Sequence, residues 1–331
     1  MVAKKRRRFF YWTAAFVLLF LTGQAAFYVA PWFINLAGTR SSAYVDLTVR
    51  KGSTLTSVAG DLEKTRLVRS KRQFLLLAKL FGGDAPIKAG EYRFIPLDPW
   101  SDYLEIMQSG VSVQRFVAIP EGMPSILVHE RLMAEPLLTG RVQVPAEGSV
   151  LPDSYSFERG EPRVAVLKRM QAAMTETLDA LWKQRRPGIA VRSKREAVIL
   201  AAIVEKETGI PAERRTVAAV YSNRLKVGMM LQADPTTIYP ITKGKPLGRR
   251  ILQSELKAVN GYNTYAKAGL PIGPIANPGR ASIAAVLDPA PSRALYFVAD
   301  GKGGHVFAAT LAEHNANVRK WYAIRRARGE M

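Results

Sequence analysis

Cysteine is absent from the chain, and histidine occurs only at His129, His305 and His314, which are far apart in the sequence. Without cysteine there can be no disulfide bond and no thiolate metal site, and three scattered histidines give no motif for a metal centre. Acidic residues are also scarce, because 27 Asp and Glu stand against 48 Lys and Arg, a formal net charge of +21. An excess of this size favours anionic partners, namely nucleic acid, acidic lipid headgroups or acidic cell-wall polymer.

Charge is missing altogether from Phe9–Ile34, which follows a basic tail at residues 1–8. At about 1.5 Å per residue, a helix of this length exceeds the roughly 30 Å of bilayer hydrocarbon, so we predict a transmembrane helix. Aromatic residues typical of membrane interfaces stand at its two ends: Tyr11, Trp12, Tyr28 and Trp32. The basic cluster before the span predicts a cytoplasmic N-terminus, with the rest of the chain outside the cytoplasm. A cleaved signal peptide is the alternative, but the apolar run continues past the point where such a segment ends.

Residues 44–140 contain two similar segments, each predicted to be strand, turn and helix. Aligning Gly52 with Gly122 superposes four apolar pairs at a constant offset of seventy residues. The pairs are Leu47 with Val117, Val49 with Ile119, Val58 with Val128, and Leu62 with Leu132. Alternating apolar residues predict the strands, and helical spacing predicts the helices. Between the segments we predict a helix over Ser70–Phe81, a strand over Glu91–Ile95 and a short helix after Ser101.

An unbroken apolar run, Ala197–Val204, has the pattern of a buried helix. Ser193 with Glu196 three residues later forms the capping box that begins such a helix, and Gly209 is the expected terminator. A second helix is predicted to follow over 211–228, with proline at its first position and glycine at its end.

Glu205 and Glu207 close the first of these helices. Residues three, four and seven apart share a helix face, so Glu205 has Ala201, Ala202 and Val198 beside it. Small neighbours leave room for a ligand, and apolar surroundings disfavour a charged carboxylate, which lets a glutamic acid keep its proton and act as a general acid. Glu207 lies nearly opposite, so only one of the two can point into a cleft. A polar helix end without chemistry is the alternative for both.

Five stretches around these helices narrow the interpretation. They are Ile203–Thr208, Tyr221–Leu225, Leu231–Tyr239, Tyr262–Tyr265 and Gly273–Gly279. In this order the chain resembles the endolytic murein transglycosylases, the YceG-like or MltG-type family. The family's catalytic glutamate aligns with Glu205, the first glutamate of the sequence Glu-Lys-Glu-Thr.

The resemblance implies an α+β fold: an N-terminal transmembrane helix, a small LysM-like α/β module, then a mainly helical lysozyme-like catalytic region with a short β-hairpin near the C-terminus. The expected boundaries are 1–8 for a cytoplasmic basic tail, 9–34 for the membrane helix, 44–140 for the LysM-like repeat module and 141–331 for the catalytic domain. LysM-like modules are associated with glycan binding, and a spacer that contacts no glycan is the alternative. The resemblance also implies the inner membrane as location and peptidoglycan synthases as partners.

The segment from Gly228 to Gly279 is rich in Asn, Asp, Gly and Pro, which predicts loops. Loops held by a scaffold often carry binding groups, and sugar recognition needs amide, carboxylate and hydroxyl groups. The candidate substrate-binding residues are Gln232, Asp234, Tyr239, Asn263, Thr264, Tyr265 and Asn277. Turn formers that bond only to their own backbone are the alternative for each.

Two short strands, Leu295–Ala299 and His305–Ala308, flank a glycine-rich loop that contains Lys302. The full P-loop spacing and its following helix are missing, so we predict a hairpin turn and not a phosphate site. A last helix begins at Thr310 in a second capping box. Its basic and aromatic tail raises the possibility of nucleic acid, but the location outside the cytoplasm argues against that partner.

The resemblance implies a lyase without cofactor or metal that cuts peptidoglycan within the strand, between N-acetylmuramic acid and N-acetylglucosamine, and so ends glycan elongation. A hydrolase of the usual type needs two carboxylates, and Asp234 is then the candidate second one. The lytic reaction needs only Glu205, which protonates the leaving oxygen and then takes a proton from the C6 hydroxyl, whose attack on C1 leaves a 1,6-anhydro end.

Two other classes remain open. One is a non-catalytic, membrane-anchored peptidoglycan-binding scaffold of the cell-wall synthesis machinery, in which Glu205 is structural. The other is a pyridoxal-phosphate lyase, for which the sequence shows neither a Schiff-base lysine motif nor a phosphate-holding fold.

Overall fold

The structure of the protein is a computed structural model that describes residues 17–20, 22–24, 43–96 and 98–330. Most of the predicted membrane span, Phe9–Ile34, lies outside these residues. Its described parts, residues 17–20 and 22–24, are helical and exposed. Among the described residues, no helix is long and apolar enough to cross a membrane.

The chain divides into two compact units, with the boundary between Arg115 and Phe116. The second strand–turn–helix segment of the sequence repeat therefore belongs to the second unit and not to the first. The reason is its core: Val117, Val128 and Leu132 share a buried cluster with apolar residues of the long helix Arg163–Lys183. Residues 44–140 thus do not form one compact unit, and a LysM-like role for any part of them stays a prediction.

The first unit alternates strands and helices. Its elements are β1 (Val45–Val49), α1 (Leu55–Lys64), α2 (Lys71–Phe81), β2 (Gly90–Phe94) and α3 (Trp100–Ser109). The two strands pair antiparallel, with Leu47 opposite Tyr92. Helices α1 and α2 begin at Thr54 and Ser70, whose hydroxyls accept hydrogen bonds from backbone N–H groups three residues later. The strands and helices predicted for this part of the chain are confirmed.

The second unit is mainly helical. Its first elements are β3 (Arg115–Ala118, which begins at the unit boundary), α4 (Ser125–Ala134), β4 (Ser154–Phe157), α5 (Arg163–Lys183), α6 (Lys194–Glu207) and α7 (Arg214–Lys226). Then follow α8 (Asp234–Thr242), α9 (Gln253–Lys257), α10 (Arg280–Leu287), β5 (Tyr296–Ala299), β6 (His305–Ala308) and α11 (Leu311–Ala327). Strand β3 pairs with β4, and β5 pairs with β6.

Helix α6 is the central element of this unit, because all residues of Ala197–Val204 are buried on every face. A helix that is apolar all round is stable only inside a core. Here the surrounding core comes from α5, α7 and α10, through residues such as Met174, Val217 and Ile283. The apolar run therefore fixes the helix on all sides, and the carboxylates at its end have a defined position.

The two ends of α6 differ in how well the sequence predicts them. Ser193 caps the first turn as expected, since its hydroxyl accepts a hydrogen bond from the Glu196 N–H at 3.1 Å. At the other end, Gly209 does not adopt the left-handed conformation of a glycine terminator. The helix ends instead because Thr208 is extended, with φ −139°.

The region after α6 is more helical than the sequence predicts. Helix α7 begins at Arg214, three residues later than expected, although Gly228 ends it in the left-handed conformation, with φ +70°. The region predicted as loops contains α8, whose start tolerates Pro235 because a first-turn N–H needs no partner within the helix. Helix α10 also follows this region and was not predicted.

The C-terminal hairpin and helix are confirmed. Strands β5 and β6 pair antiparallel, with Tyr296 opposite Ala308. Their connecting loop is closed by Asp300, whose Oδ1 accepts hydrogen bonds from the backbone of Lys302 and Gly304. The described part of the chain is thus a mixed, mainly helical fold with three two-stranded sheets. The coarse α+β class is confirmed, whereas likeness to LysM modules and to lysozyme stays a prediction.

Candidate active site

Glu205 lies in the last turn of α6, and its side chain is only 5% exposed. Its Oε2 accepts a 2.8 Å hydrogen bond from the backbone N–H of Gly279, the residue before α10. A hydrogen bond to a fixed backbone donor holds the carboxyl group in one orientation. The loop 273–279 and the end of α6 are therefore joined at the glutamate that the resemblance marks as catalytic.

An arginine faces the other oxygen of this carboxylate. Arg214, the first residue of α7, places Nη2 at 3.6 Å from Glu205 Oε1 and at 3.6 Å from Glu121 Oε2. The Arg214 side chain is 12% exposed, whereas that of Glu121 is 47% exposed. Within the described part of the chain, Arg214 Nε is buried and has no hydrogen-bond partner. The surroundings of Glu205 are thus polar on this side, unlike the apolar surroundings that the sequence predicts.

Two glycines allow these groups to approach one another. A Cβ atom on Gly122 would lie 3.3 Å from Glu205 Cγ, and one on Gly279 would lie 1.9 Å from Glu121 Oε1. Gly122 also has φ +71°, a conformation that side chains other than glycine rarely adopt. Its N–H donates to the carbonyl of Asn277 at 2.9 Å. Gly122 therefore allows its loop to approach Glu205, and Gly279 makes room for Glu121.

Two clefts of the second unit have lining residues in this constellation. One, of about 490 Å³, is lined by Glu121, Gly122, Lys206, Tyr239 and Lys245 among others. The other, of about 600 Å³, is lined by Arg214, Pro211, Arg186, Arg215 and Asp288 among others. Arg214 of the second cleft lies 3.6 Å from Glu121 of the first and 3.6 Å from Glu205, so Glu205 lies next to residues of both clefts without lining either.

Glu207 has a different set of neighbours, as its position on the helix predicts. Burial raises the pKa of Glu207 to about 7, against a hydrogen bond from Tyr221 that lowers it. The nearby charge of Asp234 raises the pKa further, and Arg224 lowers it. Among the described residues, Glu207 Oε1 has no hydrogen-bond partner. The two glutamates of α6 therefore belong to separate clusters, and only Glu205 contacts Arg214 and Gly279.

Three of the predicted binding residues, Gln232, Asp234 and Tyr265, lie at or near the surface in the part of the unit that contains Glu207. Asp234 is exposed, and its Oδ1 accepts a 2.6 Å hydrogen bond from the hydroxyl of Tyr265, which is half-buried. Burial also raises the pKa of the Tyr265 hydroxyl, so it is a neutral donor at physiological pH. Gln232 is exposed in the left-handed conformation, with φ +53°. The structure brings Asp234 and Tyr265 together but does not bring either into contact with Glu205.

The other predicted binding residues are buried and use their polar groups within the protein. Asn263 donates to three backbone carbonyls of residues 255–258, and Thr264 accepts the N–H of Ala233. Asn277 accepts the N–H of Val150 and donates to the carbonyl of Met123. These side chains brace the loops around the site, and their direct contact with sugar stays a prediction.

Tyr239 takes part in another internal network. Its hydroxyl donates to Glu147 Oε2 at 3.1 Å, and Glu147 Oε1 accepts the N–H of Ser125 at 2.8 Å. Burial raises the pKa of the Glu147 carboxyl, partly offset by these hydrogen bonds. The hydrogen bond to Glu147 therefore fixes the hydroxyl of Tyr239, which also lines the cleft of about 490 Å³.

Sequence reasoning missed Glu121 and Arg214 as parts of the site. A signal for the first was present, because Glu121-Gly122 forms the turn between strand and helix in the second repeat segment. Nothing comparable marks Arg214, which stands among several arginines at the start of α7. Its role becomes visible only when α6 and α7 pack together.

A buried carboxyl group between an arginine and a backbone N–H, next to two clefts, is an arrangement that can exchange a proton with a bound molecule. A model of the YceG-like family matches residues 47–320, and the chain belongs to that family.

Relatives of known name agree with this membership. The endolytic murein transglycosylase of Bacillus subtilis (strain 168) is 26% identical over 313 residues, which cover 85% of this chain and 86% of the relative. The endolytic murein transglycosylase of Streptococcus pneumoniae serotype 2 (strain D39) is 27% identical over 331 residues, and the match covers 84% of this chain but 58% of the relative. A crystal structure of the yceG-like protein lmo1499 from Listeria monocytogenes is 26% identical, with a TM-score of 0.52 over 83% of this chain and 99% of that one.

Proposed function

We propose that this protein is an endolytic peptidoglycan lytic transglycosylase, a lyase that cuts the bond between N-acetylmuramic acid and N-acetylglucosamine within a strand. The family and the names of the Bacillus and Streptococcus relatives support this activity. One observation of the site carries it: Glu205 is a buried carboxyl group that accepts the Gly279 N–H and lies beside Arg214 and Gly122, each of which lines a cleft.

Glu205 supplies both proton transfers. In its acid form it gives a proton to the glycosidic oxygen as the bond to C1 breaks. The resulting carboxylate then takes the proton of the muramic acid C6 hydroxyl, whose oxygen bonds to C1. The proton gained in the second transfer replaces the one lost in the first, so the enzyme returns to its starting state. Because the nucleophile belongs to the substrate, no second carboxylate has to activate water.

The neighbours of Glu205 suit this double role. The Gly279 N–H fixes Oε2 in both protonation states, and Arg214 at 3.6 Å from Oε1 stabilises the carboxylate formed after the first transfer. Neither contact occupies the whole carboxyl group, since 3.6 Å is longer than a hydrogen bond. Oε1 therefore remains available to exchange a proton with the substrate.

Cutting inside a strand requires that sugar residues extend on both sides of the cleaved bond. Gly122 and Arg214, which lie beside Glu205, line clefts of about 490 Å³ and 600 Å³, and we assign these clefts to the sugars of the strand. We assign further sugar contacts to the exposed polar groups of Gln232, Asp234 and Tyr265. The buried Asn263, Thr264 and Asn277 hold the loops that carry these contacts.

The chain is further proposed to be anchored by residues 9–34 with its second unit outside the cytoplasm, where peptidoglycan lies. The order of basic cluster and apolar run supports this topology. A cytoplasm-dependent reporter fused after Met331 is expected to be silent, and an active reporter would overturn the proposed compartment. Partnership with peptidoglycan synthases fits this location.

Glycan retention by the N-terminal part can be tested by deletion. Residues 116–140 contribute Glu121 and Gly122 to the site, so the appropriate deletion is 44–115, which leaves the second unit whole. If the first unit binds glycan, the deletion variant cuts peptidoglycan but no longer sediments with sacculi. Equal sedimentation of both proteins would make this unit a spacer.

The proposed reaction is tested by mass spectrometry of the products formed from purified sacculi. A lytic transglycosylase leaves 1,6-anhydro ends, which are lighter by one water than the reducing ends left by a hydrolase. Internal cuts also release long fragments early in the digestion. Reducing ends would replace the lyase by a hydrolase, and the absence of any turnover would favour a peptidoglycan-binding scaffold.

A further inference from the structure

One guanidinium group lies between two carboxylates at the proposed active site. Arg214 Nη2 is 3.6 Å from Glu205 Oε1 and also 3.6 Å from Glu121 Oε2. The two acids come from different elements, Glu205 from the end of α6 and Glu121 from the turn after β3. Neither distance is a hydrogen bond, so the arginine is shared between the acids and closely paired with neither.

The packing around Gly279 shows that the approach of Glu121 is part of the fold. Glu121 Oε1 occupies the space that a Cβ atom on residue 279 would fill, since the two would be only 1.9 Å apart. The same residue donates its N–H to Glu205. Glycine at this position therefore serves both acids: it binds one of them and makes room for the other.

The sharing of the Arg214 guanidinium by two carboxylates has an electrostatic consequence for Glu205, the proposed general acid. A cation beside Glu205 favours its charged form, which cannot donate a proton. A second anion on the same cation offsets that effect and competes for the guanidinium. The charged side chains at this place are Arg214 from α7, Glu121 from the turn after β3, and Lys206 from α6, whose Cδ lies near Gly122.

We propose that Glu121 is a positioning residue that acts through Arg214, holding the guanidinium between the two carboxylates so that it does not pair closely with Glu205 alone. This inference rests on the proposed function, because it assumes that Glu205 is the general acid. Glu121 itself exchanges no proton with the substrate in this scheme. Asp234, the candidate second carboxylate if the enzyme were a hydrolase, bonds to Tyr265 and does not contact Arg214 in this way.

The test is the pH dependence of kcat/KM for the full chain acting on sacculi. Glu121→Gln removes the competing charge with little change of size, so Arg214 pairs with Glu205 alone. A closer ion pair makes Glu205 a weaker proton donor, so the rate of the variant begins to decline at a lower pH than that of the wild type. We expect the alkaline limb of the pH profile to move down by about one pH unit, which lowers the rate about tenfold at pH values above the limb. Glu176→Gln, at an exposed position of α5, is the matched control and leaves the profile unchanged.

A second variant shows whether the effect passes through the arginine. Arg214→Gln removes the cation, so the alkaline limb moves to higher pH. Adding Glu121→Gln to Arg214→Gln then shifts the limb much less than it does in the wild type, because the group through which it acts is gone. If the arginine variant does not fold, the profile of Glu121→Gln alone decides, since Glu121 is half exposed and its replacement disturbs no core.

Two results would overturn the inference. An unchanged profile for Glu121→Gln shows that the residue has no part in the chemistry. An equal loss of rate at every pH shows that Glu121 only shapes the cleft. Failure of the proposed function is recognised separately, because the wild type then shows no turnover or leaves reducing ends, or Glu205→Gln keeps full turnover.

Discussion

The buried phenol of Tyr221 lies beside the carboxyl group of Glu207 and, as a hydrogen-bond donor, lowers the pKa that burial raises. The second oxygen of that carboxyl group, Oε1, is buried without a partner among the described residues. A carboxyl group in this setting is more stable protonated than charged. Burial of Glu207 therefore lowers the free energy of unfolding increasingly as the pH rises.

The first prediction concerns this cost. Burial raises the pKa of Glu207 from 4.5 to about 7, so the folded protein holds a proton that the unfolded chain releases. Stability from this group is complete below about 4.5 and is lost as pH rises through about 7. The loss amounts to roughly 3 kcal/mol, since each pKa unit corresponds to about 1.4 kcal/mol.

Urea unfolding at pH 5 and pH 8, compared between wild type and Glu207→Gln, measures this difference. The neutral amide carries no charge to bury, so the variant is expected to lose less stability between the two pH values than the wild type does. An identical pH dependence for both proteins would show that Glu207 is charged in the folded state.

The second prediction concerns the close contact at Gly279. In Gly279→Ala the new Cβ meets Glu121 Oε1, so the Glu121 side chain must move from its place beside Arg214. A displacement of about 1 Å in a catalytic constellation can reduce the rate about 10²-fold. The backbone at Gly279 has φ −73°, so alanine itself is not strained there. Activity on sacculi is therefore expected to fall while the unfolding midpoint changes little.

Gly209→Ala is the matched control for this substitution, because a Cβ at Gly209 has nothing within 4 Å. Equal activity of the Gly279→Ala and Gly209→Ala proteins would mean that the contact with Glu121 is of no consequence.

These sites also show what the sequence can and cannot predict. Helix α6 was predictable, since the capping box at Ser193 and the unbroken apolar run are local signals. The contact of Glu205 with Arg214 was not, because it depends on the angle at which α6 meets α7, and that angle is set by packing. Helix α8 was missed for a related reason: two prolines, Pro235 and Pro240, favour a loop prediction, yet tertiary contacts stabilise a short helix around them.

The predicted binding residues also show a limit of prediction from sequence. Amide and hydroxyl side chains in a loop can serve sugar recognition or the fold, and the sequence does not separate the two. Asn277 and Asn263 are buried with their polar groups engaged, whereas Asp234 and Tyr265 reach the surface. Burial depends on how the loops close over α6, which no local pattern encodes.

The third prediction separates these roles at Asn277. Its side chain bonds to Val150, Met123 and Ser125. The Met123 carbonyl and the Ser125 hydroxyl keep other partners, so Asn277→Ala leaves the buried N–H of Val150 unpaired. An unpaired buried group costs about 1–3 kcal/mol and a lost hydrogen bond about 1 kcal/mol, so we expect a loss of about 2–4 kcal/mol in unfolding free energy. Asn315→Ala, at an exposed position on α11, should change stability by less than about 0.5 kcal/mol. A raised KM with unchanged stability would instead make Asn277 a sugar contact.

The fourth prediction concerns Asp234, the candidate second carboxylate of a hydrolase. It bonds to Tyr265 and contributes its charge to the Glu207 cluster, and it does not contact Glu205. Asp234→Asn is therefore expected to raise KM several-fold, to lower kcat by less than about tenfold, and to leave 1,6-anhydro ends on the products. A loss of kcat as large as that of a general-acid variant would restore Asp234 to the chemistry.

The central claim is that Glu205, and not Glu207, transfers the proton. Its direct test is the initial rate of glycan release from sacculi by Glu205→Gln and Glu207→Gln, measured beside the wild type at a pH where all three are folded. Glutamine keeps the size of the side chain but has no transferable proton, so Glu205→Gln should fall by at least the ~10² to 10⁴ that general acid–base catalysis contributes. Glu207→Gln should stay within about tenfold of the wild type, because its carboxyl group contacts neither Arg214 nor Gly279. Full activity of Glu205→Gln together with loss in Glu207→Gln would contradict the account and move the acid to the second cluster.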